Sequence, residues 1–122
     1  MDARLREGIG LFNEGRFFES HEKLEGFYQE TEDANKPFLE GLILLAAAFR
    51  LFSDFNEVKG PVRMIYQALI RFENYPATFL QIRVDRLAAA MEAWAKEKET
   101  LGEKPSSSKI PRIQLKRFRL FS

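Results

Sequence analysis

The sequence predicts an all-α protein: a single-domain bundle of about five helices around a central apolar helix, followed by an extended basic C-terminal tail. Three observations carry this prediction. Apolar residues recur at spacings of three and four through most of the first 99 positions. Helix-breaking and helix-starting residues, Gly15, Pro37, Pro61 and Pro76, cut that pattern into segments. Residues 42–49 are apolar without interruption, so the helix containing them has to be surrounded by others. With 122 residues, 45% of them hydrophobic, and twelve phenylalanines, the chain has the size and composition of one domain with a full core.

The elements follow in order. Leu5, Ile9 and Phe12, with Gly15 as a stop, place a first helix at about residues 3–13. NEGR at 13–16 reverses the chain into a second helix at about 16–31, which the polar cluster TEDAN closes. Pro37 suits the first turn of a third helix, whose residues 38–52 carry only Glu40 and Arg50 as charges. A fourth helix starts either at an Asn56 cap or with Pro61 near its first position. It carries Val62, Ile65, Tyr66, Leu69 and Phe72, and NYP at 74–76 ends it. Residues 77–81 read as a plain link to a fifth helix at 84–99, with Val84, Leu87, Ala88, Met91, Trp94 and Ala95 on one face. EKPSSSK has linker composition, and IPRIQLKRFRLF shows no clean period. The division expected is therefore residues 1–103 as the bundle and 104–122 as a basic linker and tail. FNEG and FNEVKG before the second and fourth helices form a faint echo, but two copies fall short of a stacked repeat array.

Composition excludes several function classes. The absence of cysteine rules out disulfides, thiol catalysis and cysteine-based zinc sites. The N-terminal MDARLREGIG lacks the apolar stretch of a secretory signal, and residues 42–49 are too few to cross a bilayer, so a soluble, cytoplasmic protein is expected. There is no Gly-rich phosphate loop and no nucleophile-elbow pattern. The net charge of +1 conceals an asymmetry: residues 1–108 hold 14 basic and 18 acidic side chains, whereas 109–122 hold five basic and none acidic.

Residues 17–29, FFESHEKLEGFYQ, contain the only histidine. HExxE stops one residue short of the zinc-protease pattern HExxH, since Glu25 stands where the second histidine would be. At about 100° per residue, Phe17, Leu24 and Tyr28 share a face bounded by Phe18 and Phe27, and His21 falls in the middle of that arc with Glu25 beside it. His21 and Glu25 are thus expected to point inward. The plain reading is a core histidine paired with Glu25 or a backbone carbonyl. The runner-up is a divalent metal site on His21, Glu22 and Glu25, completed by a distant carboxylate such as Glu40, Glu14, Asp54 or Asp85. A metal-free acid/base pair of His21 with Glu25, as in a hydrolase-like enzyme, is the third. Arg50 is expected to snorkel or pair with an acid.

FNEGRFFESHEKLEGFYQ, followed by FLEGLILLAAAFRLF, resembles the small helical proteins, mainly bacterial, archaeal and plastid, gathered as domain of unknown function family 309. Their signature has the form FN-x-G-x-(F/Y)-(F/Y)-E-x-HE-x-LE-x-x-W, followed by GLIQ-x-A. Phe12, Asn13, Gly15, Phe17, Phe18, Glu19, His21, Glu22, Leu24 and Glu25 match it, and the resemblance is clearest over residues 12–52. It implies an all-helical bundle and no particular activity. Leu44 stands in place of the glutamine, Tyr28 in place of the tryptophan, and Arg50 and Leu51 in place of histidines. If the family uses those polar positions, part of such a site is missing from this chain.

Three functions are thereby expected in competition. The first is a non-enzymatic protein-interaction or self-associating domain with no cofactor. The second is a metal-binding protein or enzyme using the HExxE residues. The third is a nucleic-acid accessory protein, or one touching an anionic membrane, through Lys109, Arg112, Lys116, Arg117 and Arg119. On that third reading, deleting residues 105–122 removes binding and leaves the fold intact.

Overall fold

The computed structural model describes residues 1–101 and 109–116. Its helices are α1 (Ala3–Asn13), α2 (Phe17–Glu30), α3 (Lys36–Phe55), α4 (Lys59–Phe72) and α5 (Val84–Leu101). A 3-10 turn at Asp33–Asn35 precedes α3, and a hairpin of β1 (Thr78–Phe79) and β2 (Ile82–Arg83) precedes α5. The protein is an all-α bundle, and consecutive helices pack on one another from α1 to α5.

The helix ends have local causes. Asp2 caps α1, its carboxylate accepting the Arg4 N–H at 2.8 Å. Gly15 then takes φ +81°, which lets the Arg16 N–H reach back to the Leu11 carbonyl at 2.9 Å and turns the chain. Asn56, with φ 56°, closes α3 in the left-handed conformation rather than capping α4. The next helix instead begins at Lys59 and carries Pro61 in its first turn.

α3 is the centre of the core. Phe38, Leu39, Leu42, Leu45, Ala46, Ala48 and Phe49 are all fully buried. The Phe49 ring receives Phe12 from α1 at 5.8 Å, Phe17 from α2 at 5.7 Å and Trp94 from α5 at 4.9 Å. Four helices therefore meet around one ring, with geometries typical of aromatic pairs. On the α4 side Gly41 admits Phe72, because a Cβ at residue 41 would lie 2.5 Å from Phe72 Cε1.

Two features depart from the expectation for the second half of the chain. Residues 77–81 are not a plain link, since 78–83 form a hairpin pairing Thr78 with Arg83 and Phe79 with Ile82. Its turn residues, Leu80 and Gln81, have φ 48° and 64°, the conformation for which Asn-Gly is the usual signal. The second is residues 109–116, expected as an extended basic tail, which are docked on the bundle. They run antiparallel to β2, with the Arg83 N–H on the Gln114 carbonyl at 2.9 Å and the Lys116 N–H on the Gln81 carbonyl at 2.8 Å. Ile113 is buried, and its N–H and carbonyl are both held by the Asn13 carboxamide, at 2.7 and 3.0 Å. Deleting residues 105–122 would therefore remove the buried Ile113 side chain and its bonds to Asn13 along with the basic residues.

Candidate functional site

The second helix is rotated relative to the sequence expectation. Its buried residues are Phe17, Ser20, Leu24 and Phe27. Ser20, rather than His21, is the polar group that points into the bundle, and its hydroxyl donates to the Gly8 carbonyl at 2.7 Å. The cause is the close crossing of α1 and α2. Gly8 offers no side chain there, and a Cβ would stand 2.8 Å from Leu24 Cδ2. A small residue that satisfies its own hydroxyl fits that crossing, and an imidazole does not.

His21 consequently sits at the edge of the buried face, its side chain 29% exposed. Its Nε2 lies 3.7 Å from Glu25 Oε1, a contact that becomes an ion pair when the imidazole is protonated but is too long for a hydrogen bond. Glu25 and Glu22 are exposed. Glu40 is engaged elsewhere: the Tyr28 hydroxyl donates to its Oε1 at 3.0 Å and the Arg71 Nε–H to its Oε2 at 3.2 Å. That bond to the carboxylate raises the Tyr28 phenol above its ordinary value, because it favours the protonated form. The more distant acids are occupied too: Glu14 lies 3.5 Å from Arg16, Asp54 3.9 Å from Arg50 and Asp85 3.7 Å from Arg83. Among the described residues, no three histidine or acidic side chains are placed to hold a metal ion.

Two contacts set the register of α2 on α3. Tyr28 meets Glu40, and the Arg50 guanidinium lies 4.4 Å from the Phe18 ring centre. The helices are thus antiparallel, which sets His21 level with Ala47 and Glu25 level with Ile43. α4 lies on the other side of α3, joined to it by Arg71 and Glu40. Along α3, the positions facing outward between α2 and α4 are Glu40, Ile43, Leu44, Ala47, Arg50 and Leu51, all half-buried. Leu44 and Leu51, which stand where the resembled pattern carries glutamine and histidine, belong to this stripe. Phe18 and Phe55 end it, 44% and 58% exposed. Arg50 stacks between them, its Nε buried with no hydrogen bond among the described residues. The candidate site is therefore a shallow apolar face with a polar cluster at one end and a cation between aromatic rings at the other.

Of the basic tail candidates, Lys109, Arg112 and Lys116 are exposed on the docked segment itself. Arg117 and Arg119 lie outside the described residues. Sequence reasoning passed over Asn13 as a clamp and Lys98 as a core residue. For Lys98 a signal existed, since it follows Met91, Trp94 and Ala95 at helical spacing, and it is 4% exposed. For Asn13 no local pattern announces a partner 100 residues away.

No curated protein matches the chain. Residues 5–64, which span α1, α2, α3 and the start of α4, match the family described as Domain of unknown function (DUF309). That stretch holds the α1–α2 crossing, the His21–Glu25 pair and the whole outward stripe of α3, and it is over these residues that the chain matches the DUF309 family.

Proposed function

We propose that the protein is a non-enzymatic interaction domain that self-associates through the α2–α3–α4 face. The observation that carries this is the half-buried apolar stripe along the middle of α3, ended by two exposed phenylalanines, on a stretch of helix whose other residues, from Phe38 to Phe49, are buried. A contiguous apolar strip of this kind on a small helical protein is the usual mark of a protein contact. The charges suit a second copy of the same chain. A two-fold axis near His21 and Ala47 lays the Arg50 end of one copy over the Glu25 and Glu40 end of the other, so each copy supplies the complement of what it presents. His21 and Glu25 then form part of the rim of the contact, with no substrate to act on.

Light scattering on the wild type, on Leu51→Glu and on Ile70→Glu tests this reading. Ile70 is 62% exposed on α4, away from the stripe, and serves as the control. The wild type and the Ile70 variant are expected to run as dimers and the Leu51 variant as a monomer. Monomers throughout, or equal loss in both variants, would defeat the reading.

A further inference from the structure

The start of α4 and the end of α5 enclose an open cleft of about 1090 Å³ at the far end of the bundle from Glu40. α4 begins without a side-chain cap, and Pro61 contributes no N–H. The Val62 N–H bonds the Val58 carbonyl at 3.0 Å, which leaves the amides of Lys59 and Gly60 as the donors of the first turn with no helical acceptor. The backbone is approachable there, since a Cβ at Gly60 would meet only the Glu57 carboxylate, 3.7 Å away. A helix start of this kind attracts anions through its free amides and its dipole.

An independent feature points the same way. Lys98 lines the cleft although it is 4% exposed, and its ammonium lies 5.0 Å from the Phe52 ring centre and 5.2 Å from that of Trp94. Among the described residues it has no hydrogen bond and no acid partner, and the two ring faces are the neighbours its ammonium meets there. Lys59 and Arg63 line the same wall, likewise without an ion pair among the described residues. Two acids are present. Glu99 is engaged by the Tyr66 hydroxyl, and the Glu57 carboxylate lies beside Gly60. Three cations and two free amides line this one cleft and suit an anion, and the volume leaves room for the body that carries it.

We propose that this cleft binds the phosphate group of a small phosphorylated ligand, with the phosphate on the Lys59 and Gly60 amides and Lys98 as its buried counter-charge. The test is a titration of the full chain with inorganic phosphate, followed by amide chemical shifts, with chloride at matched ionic strength as the reference. Saturable shifts centred on Lys59 and Gly60 are expected. Lys98→Met is expected to weaken binding roughly tenfold, which is about 1.4 kcal/mol. Glu57→Gln is expected to tighten it, because a like charge beside Gly60 is removed. Should Lys98→Met fail to fold, Arg63→Gln, at an exposed side chain, must show the weakening. Shifts that grow linearly with phosphate, or that centre on other residues, or that are unchanged in the charge-removing variants, would overturn the proposal.

Discussion

Replacing Ile113 by alanine asks whether the C-terminal segment is part of the folded unit. Ile113 is 2% exposed, and truncating a buried isoleucine to alanine costs about 2–5 kcal/mol, of which this site, at the margin of the core, should show about 3. Asn13→Ala attacks the same docking from the other side by deleting two hydrogen bonds, each worth about 1 kcal/mol net. The two substitutions act on one equilibrium, the docking of residues 109–116 on α1 and β2. Once that docking is lost, a second substitution has nothing further to remove. The double variant is therefore expected to lose less than the sum of the two, about 5 kcal/mol, and the shortfall measures the coupling. Urea unfolding followed by Trp94 fluorescence and far-ultraviolet circular dichroism supplies all four free energies. A cost for Ile113→Ala below about 0.5 kcal/mol, the range of an ordinary surface change, would refute the claim that the segment belongs to the core.

Four further outcomes are expected. Gly41→Ala places a Cβ 2.5 Å from the Phe72 ring, so it should destabilise by about 1–3 kcal/mol in the same urea assay, and a neutral result would show that α3 and α4 are not so closely crossed. His21→Ala should cost less than about 1 kcal/mol, because the side chain is partly exposed and its one charged neighbour is 3.7 Å away. Divalent metals should leave the thermal midpoint of the wild type and this variant equally unmoved, and a metal-dependent rise that His21→Ala abolishes would restore the metal reading. The Tyr66 phenol donates to Glu99 and is pushed up to about 12 from an ordinary value of 10. Its raised value favours the protonated phenol in the folded state, so the stability it contributes is present below pH 10 and is lost as pH rises from about 10 to about 12. Ultraviolet titration of the wild type against Tyr66→Phe and Glu99→Gln checks this, and a Tyr66 transition near 10 in the wild type would contradict it.

The helices were legible because their signals are local: period, proline at a first turn, glycine at a stop. The centrality of α3 was legible for the same reason, since an uninterrupted apolar run leaves a helix no solvent face. The rotation of α2 was not. Periodicity cannot separate positions 20 and 21 when serine and histidine are both polar, and the choice is made by Gly8 on another helix. The hairpin was hidden because Leu80 and Gln81 hold left-handed conformations that their identities do not announce. The docking of Ile113 depends on Asn13, and a contact between residues 13 and 113 leaves no trace in local composition. The outward stripe was only half visible, since its residues look like core until α2 and α4 are seen to leave that side of α3 uncovered.

The central claim is that the α2–α3–α4 face is a contact surface between copies of this chain. Backbone hydrogen exchange measured across a dilution series tests it most directly, because it reports both whether copies associate and where. The account predicts that dilution lowers protection along residues 18–28 and 40–54 and leaves α5 unchanged. Protection that does not depend on concentration, or a dependence that maps to α4 around Ile70 instead, would contradict it.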